Sequence, residues 1–241
     1  MIGNISSIAL SLPKKKVLIK DICLEKNWSY TKILDKTGIK TVYKSNPNET
    51  ALSMAIKAAK KIKFKKSEID ALVYVTQSPE FLLPTNACLI QNHIKLNKDI
   101  MAFDINQGCA GYVYGLWLAQ LILQNSHNGD RVLLLTGDTM TKALSEDDPS
   151  TKPLFGDSGT ATLLIADNKA EKASFFDLNM EGSGCGSLMI KNGGFRELSC
   201  KGTTSNPLLA MSGLDIYNKA MKFAPECVEN VLTYADKSKS D

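Results

Sequence analysis

Cys109 is the residue of this chain best placed to do covalent chemistry. A predicted β-strand over residues 99–106 comes just before it, and an apolar helical pattern begins just after it at Ala110. Gln107 and Gly108 make the turn between the two. A helix N-terminus presents unpaired backbone N–H groups and about half a positive charge, which stabilise a thiolate and an oxyanion beside it. The sequence therefore predicts that Cys109 is a nucleophile.

The other cysteines and the histidines do not suggest a metal or redox site. The six cysteines are scattered without CxxC pairs or neighbouring histidines, unlike the ligands of a zinc site or a redox dithiol. Cys23, Cys88 and Cys227 fall within apolar helical patterns, where we expect small buried hydrophobic residues. His93, in a helix of mixed polarity, and His127, in a turn, are expected at the surface rather than as catalytic bases.

The composition and net charge of the chain argue against a nucleic-acid partner. The net charge of +4 comes almost entirely from lysine, since Arg131 and Arg196 are the only arginines. Because bidentate recognition of phosphates and bases favours arginine, no nucleic-acid partner is expected. The densest basic run, residues 60–66, is interpreted as a solvated helix end, with the docking of an acidic carrier protein as the alternative.

Neither a membrane span nor a secretion signal is expected. The chain contains no run of about 18 apolar residues, and residues 1–7 lack the basic start and apolar stretch of a signal peptide. We expect a cytoplasmic protein, whose cysteines stay as thiols in a reducing compartment.

Apolar runs rich in β-branched residues alternate with helical patterns along the chain. This alternation predicts an α/β sandwich with a largely parallel central sheet. The predicted strands are residues 2–9, 71–76, 100–106, 132–136, 160–166 and 174–178, and the predicted helices are residues 49–63, 85–94, 110–125 and 214–235.

The helix that follows Cys109 is apolar on nearly every face, unlike an amphipathic surface helix. We expect it to run through the middle of the protein. A thiol at the start of such a helix is reached through a tunnel, which suits a long, thioester-linked acyl chain.

Several segments together resemble one family of enzymes. Residues 102–116 are similar to the nucleophile region of β-ketoacyl-acyl carrier protein synthase III, a member of the thiolase superfamily. The resemblance implies a thiolase-like layered α/β sandwich. It continues along the chain at Thr37-Gly38-Ile39, Leu83-Pro84-Thr85, residues 154–161, residues 182–184, Gly193-Gly194 and Met211-Ser212-Gly213.

The sequence Gly156-Asp157-Ser158-Gly159 also occurs around the nucleophile of trypsin-like proteases. That fold is an antiparallel barrel with a histidine and an aspartate upstream, whereas this chain alternates helices and strands. We therefore interpret the glycines as sites of close backbone packing, and Asp157 as an acceptor for local N–H groups.

The resemblance implies an acyltransferase. Cys109 would carry the acyl group and condense it with malonyl-acyl carrier protein by decarboxylative Claisen chemistry, at the start of fatty acid or related acyl-chain synthesis. Leu83, Phe155 and Gly156 correspond to positions near the substrate. The implied partners are acyl carrier protein, an acyl thioester and a second copy of the chain, which the Leu83-Pro84 region would contact. Acyl-CoA or acyl-carrier protein would be a substrate. The resemblance implies no cofactor.

The coenzyme A site departs from the family pattern. Trp28 and Lys36 are the candidate residues for this site, but Lys36 replaces the arginine that usually precedes Thr-Gly-Ile, and Lys32 and Pro149 stand where a tryptophan and a second arginine are usual. Lysine cannot replace the stacking of a planar guanidinium. We expect weak use of coenzyme A and a preference for a carrier-protein donor.

Condensation in that family also needs a histidine and an asparagine from its C-terminal half. No histidine follows Met211 in this sequence. We expect a complete N-terminal half over residues 1–168 and an incomplete second half over residues 169–241, as in a truncated synthase that self-acylates but does not condense alone. The alternative is a non-catalytic acyl-binding or dimerising fragment of a ketosynthase.

Overall fold

The structure, a computed structural model, describes residues 2–125, 130–167, 174–195 and 207–240. The chain divides into two units, which are described separately. The first comprises Met1–Val17, Thr41–Met140 and Gly156–Ala173, and the second comprises Leu18–Lys40, Thr141–Phe155 and Ser174–Asp241. The predicted boundary at residue 168 stays a prediction.

The regular elements are numbered in chain order. They are β1 (Ile2–Ser11), β2 (Lys15–Leu18), α1 (Ile19–Glu25), α2 (Tyr30–Thr37), β3 (Thr41–Lys44), α3 (Ala51–Ala59), β4 (Ala71–Val75), α4 (Asn86–Ile94), β5 (Met101–Ile105), α5 (Gly111–Asn125), β6 (Arg131–Asp138), β7 (Ser158–Asp167), β8 (Leu188–Ile190), β9 (Leu209–Met211) and α6 (Gly213–Tyr234).

A five-stranded sheet forms the centre of the first unit, in the order β1-β7-β6-β4-β5. Strand β4 runs parallel to β5 and to β6, whereas β7 runs antiparallel to β6 and to β1. The expectation of a largely parallel sheet is therefore wrong for the two antiparallel pairings among the four in this sheet. The reason is local: helices return the chain between the parallel strands, but no α-helix lies between β6 and β7, so the chain reverses there.

Helices cover both faces of this sheet. Leu72 and Tyr74 of β4 belong to the cluster that packs under α3 and α4, and Val73 and Val75 belong to the cluster that packs under α5. Side chains alternate across a strand, so one fully buried strand serves both layers. The first unit is thus a three-layer α/β sandwich, as the alternation of elements predicts.

Helix α5 is buried along one face only. Its buried residues include Gly115 and Ala119, whereas Val113 is 44% exposed and Trp117 is 36% exposed. The expectation that this helix runs through the middle of the protein is therefore not met by the described residues, in which its outer face is partly exposed. The helix lies in an outer layer of the first unit, so the sheet covers only the face of the helix that packs on it.

The second unit contains α1, α2, α6 and the antiparallel pair β8–β9. The strand predicted over residues 174–178 is wrong: these residues have no regular structure. A short apolar run becomes a strand only where a neighbouring strand pairs with it, and nothing in the run itself specifies that partner.

Candidate active site

Cys109 lies in a tight turn that joins β5 to α5. A short 3₁₀ turn spans Gly108–Ala110, and the N–H of Gly111 donates to the carbonyl of Gly108. Gly108 has φ +57°, a left-handed conformation that glycine adopts without steric cost. The Cys109 side chain is exposed. The described residues therefore present the thiol at the start of a 15-residue helix, as predicted, while the tunnel to it stays a prediction.

Two glycines let α5 approach the sheet closely. A Cβ atom on Gly111 would lie 2.3 Å from Val75 Cγ1, and one on Gly115 would lie 2.6 Å from Leu134 Cδ1. No larger residue fits at either position without moving the buried side chains of β4 and β6. The first turn of α5, and with it the position of Cys109, is set by this contact.

Asp138, at the end of β6, holds the loop that follows β4. Its carboxylate accepts hydrogen bonds from the backbone N–H of Gln77 at 2.7 Å and of Ser78 at 3.1 Å. The hydroxyls of Ser78 and Thr76 and the Gln77 side-chain amide also donate to it. Gln77 Oε1 in turn lies 3.7 Å from the Cβ position of Gly108, so this loop borders the Cys109 turn.

Asp104 of β5 has a similar role on the other side of β4. It accepts hydrogen bonds from the backbone N–H groups of Asn86 at 2.6 Å and of Ala87 at 2.7 Å, and from the Asn86 side-chain amide. It therefore caps the N-terminus of α4. Neither aspartate is predicted from the sequence as a site residue; the only signal for them is their position at or near the carboxyl ends of predicted strands.

Leu83 is 78% exposed and precedes Pro84 through a cis peptide bond, next to the start of α4. Its neighbours Phe81 and Leu82 are each 57% exposed. Exposed apolar patches of this kind are typical of protein interaction sites. No described contact links Leu83 to Cys109.

Gly156 and Asp157 pack against β3 in the first unit. A Cβ on Gly156 would lie 3.3 Å from the backbone N of Tyr43, and the Asp157 N–H donates to the Tyr43 carbonyl. The buried Asp157 carboxylate accepts from the N–H of Ser45 at 2.8 Å. Asp157 is an acceptor as predicted, but the donor N–H group belongs to Ser45, which is distant in the sequence and not local. Phe155 is half-buried and belongs to the second unit.

Trp28 and Lys36 lie at opposite ends of α2 in the second unit. Trp28 is half-buried just before the helix, and Lys36 is exposed in its last turn. The rise of a helix separates them by roughly 10 Å along its axis. The structure therefore does not bring these two candidates for the coenzyme A site side by side.

The remaining cysteines and histidines behave in different ways. Cys23 is buried, and burial raises the pKa of its thiol. Cys88 is exposed, so the prediction that it is buried is wrong; it lies on the outer side of α4, where the helical pattern alone does not show which face meets the sheet. Cys227 is half-buried. His93 is exposed as predicted, and His127 lies outside the described residues.

The part of the chain that the structure describes contains neither a cluster of metal ligands nor a membrane-spanning helix. No three histidine, cysteine, aspartate or glutamate residues in it are grouped as metal ligands would be. None of its helices is both long and apolar enough to cross a membrane.

The fold and the site define a class: a thiolase-like α/β enzyme with a cysteine at the start of the helix that follows β5. Comparison with known proteins identifies one family within this class. The family 3-oxoacyl-[acyl-carrier-protein (ACP)] synthase III matches residues 103–184, which include Cys109. The chain is 30% identical to β-ketoacyl-[acyl-carrier-protein] synthase III of Lactobacillus helveticus, over 97% of this chain and 72% of the relative.

Further relatives agree. The chain is 28% identical to β-ketoacyl-[acyl-carrier-protein] synthase III of Coxiella burnetii, over 99% of this chain and 74% of the relative. It superposes on a 2.1 Å crystal structure of a 3-oxoacyl-(acyl-carrier-protein) synthase III with a TM-score of 0.92 and 31% identity, covering all of this chain and 76% of that one. The chain belongs to the β-ketoacyl-acyl carrier protein synthase III family, and it is an enzyme of the ketosynthase type.

Proposed function

We propose that this chain accepts an acyl group on Cys109 from an acyl thioester. The observation that supports this proposal is the exposed sulfur at the turn between β5 and α5. The thiolate attacks the thioester carbonyl carbon, the carbon–sulfur bond to the donor breaks, and the donor leaves as a thiol after taking up a proton. We expect backbone N–H groups in the first turn of α5 to stabilise the oxyanion, an effect worth about 3–4 kcal/mol per donor in comparable sites.

The second half-reaction would join this acyl group to a malonyl unit. Malonyl-acyl carrier protein loses carbon dioxide, its carbanion attacks the acyl carbonyl, and the bond to Cys109 breaks to restore the thiolate. That step needs a histidine and an asparagine to bind the enolate oxygen, and no histidine follows Met211. The residues that support this proposal, Cys109 and the first turn of α5, serve the acylation step.

We expect the donor to be an acyl carrier protein rather than coenzyme A. Arg131 is already paired with Glu68 and Asp130, so it does not supply a free guanidinium for stacking on adenine. Lys36 offers only a point charge. The reducing cytoplasm, where such donors and free thiols coexist, is the location that this chemistry favours.

A second copy of the chain is the proposed partner of the exposed loop at Phe81, Leu82 and Leu83. Burying three such side chains gains about 1.5–3 kcal/mol each before the cost of association. Sedimentation of the wild type beside Leu83→Ser tests this. A wild type that stays monomeric at high concentration would contradict the proposal.

Intact-mass spectrometry tests the main proposal. The purified chain is incubated with acetyl-acyl carrier protein or acetyl-CoA, and the mass of one acetyl group should appear faster with the carrier. Cys109→Ser should abolish it, whereas Cys185→Ser, which removes another exposed thiol, should not. Acylation that survives Cys109→Ser would refute the role of Cys109.

The alternative function is a non-catalytic acyl-binding or dimerising fragment of a ketosynthase, which the exposed apolar loop at Phe81, Leu82 and Leu83 favours. Alkylation distinguishes the two. Iodoacetamide at about pH 7 should label Cys109 faster than Cys185 if helix α5 activates the thiol. Equal labelling of both exposed cysteines would support the non-catalytic alternative.

A further inference from the structure

A cationic cleft lies in the first unit, between the C-terminal ends of α3 and α4. It has a volume of about 340 Å³ and is lined by Lys60, Lys66, Lys95 and His93 around an apolar floor that includes Ile62 and Phe64. A volume of this size is in the range of small-molecule sites, which begin at about 300 Å³.

The positive charge of this cleft exceeds what the helix ends require. Two helix C-termini carry about half a negative charge each, which one lysine in total would balance. Three lysines surround the cleft, and no acidic residue lines it. The nearby Glu68 is already paired with Lys65 and Arg131. Among the described residues, the three lysine ammonium groups have no hydrogen-bond or ion-pair partner.

The cleft is separate from the Cys109 turn. It lies where α3 and α4 end, beside the amino ends of β4 and β5, whereas Cys109 follows the carboxyl end of β5. Five residues of strand place the two sites about 16 Å apart. An occupant of the cleft would therefore not be the group attacked by Cys109.

We infer that this cleft binds a phosphorylated small molecule whose remainder is apolar or aromatic, of about the size of a mononucleotide. Lysine binds phosphate as a point charge, and three lysines with an imidazole suit a dianion. Ile62 is buried and Phe64 half-buried, so the floor gives an apolar ring a surface to pack on. The cleft is too small to take a folded protein, and it carries no acidic group that would repel phosphate.

Titration calorimetry at low salt with AMP and with pyrophosphate tests the inference. AMP should bind with one-to-one stoichiometry, and Lys60→Gln/Lys66→Gln should weaken it at least about tenfold. The control Lys20→Gln/Lys63→Gln has the same net charge, removes exposed lysines outside the cleft, and should leave binding unchanged. Phe64→Leu should weaken AMP but not pyrophosphate.

Three results would overturn the inference. The first is no saturable binding of either probe, and the second is equal weakening by the control variant, which would indicate diffuse charge. The third is AMP binding that the cleft variants leave intact, which would place AMP elsewhere on the chain. If Lys60→Gln/Lys66→Gln does not fold, Lys95→Gln alone should still weaken AMP measurably, and unchanged binding there would count against the cleft.

Discussion

Replacing Gly108 with alanine tests how the turn that carries Cys109 is built. Gly108 has φ +57°, and a Cβ atom there would lie 3.7 Å from Gln77 Oε1, an ordinary contact. The cost therefore comes from the left-handed backbone and not from a collision. That cost is about 1–2 kcal/mol for an L-residue, and the lower entropy of unfolded alanine returns about 0.4–1 kcal/mol. We expect a net loss of about 1 kcal/mol in the free energy of unfolding.

Urea denaturation followed by circular dichroism measures this loss, and Gly38→Ala is the matched control. Gly38 has φ +65° with nothing within 4 Å of its Cβ position, so both variants should lose similar stability. Only Gly108→Ala should also slow the acylation and alkylation of Cys109, because only that turn carries the sulfur. A Gly108→Ala variant as stable as the wild type, beside a destabilised Gly38→Ala, would refute the left-handed turn. Unchanged Cys109 reactivity would refute its positioning role.

Three further predictions concern packing and charge. Gly159→Ala should lose about 2 kcal/mol or more of stability, because the new Cβ would lie 2.4 Å from the backbone N of Ala55. Thermal denaturation measures this loss. The control is Gly182→Ala, whose new Cβ would meet nothing within 4 Å. Asp138→Asn should cost about 1–3 kcal/mol in the same assay, because its amide NH₂ would face donors that need an acceptor. Burial raises the pKa of Asp148, but hydrogen bonds from the serine and threonine after it hold that pKa below the usual value. The resulting stabilisation is present above the unfolded-state pKa of about 3.9 and is lost as the pH falls below that value. The urea midpoint of Asp148→Asn should therefore vary less with pH than that of the wild type between about pH 5 and 3.

The strands of the central sheet can be predicted because each is a short apolar run between turn residues. Their directions cannot, since β1 pairs with β7 from the far end of the first unit and nothing in either segment specifies that partner. The four-residue strands β2 and β3 escape prediction because four residues are too few to show a period. The run at residues 174–178 shows the opposite error, an apolar stretch with no pairing strand.

The nucleophile can be predicted because its chemistry depends on a local arrangement, a strand, a glycine turn and a helix. Asp104 and Asp138 cannot, because their partners come from distant segments. Asp138 accepts from residues 60 to 62 positions earlier in the chain, a relation that spacing does not reveal. Helix α5 illustrates the same limit: its composition shows that it is apolar, but only the contacts of Gly111 and Gly115 show which face meets the sheet.

The two aspartates support the Cys109 turn by holding the segments around it. Strand β4 lies between β5 and β6, so Asp104 and Asp138 brace the carboxyl edge of the three parallel strands from both sides. Their oxygens already accept hydrogen bonds from the loop after β4 and from the start of α4. Among the described residues, no hydrogen bond links either carboxylate to Cys109. These carboxylates therefore act by holding the loop after β4 and the start of α4, and the loop after β4 borders the turn that carries Cys109.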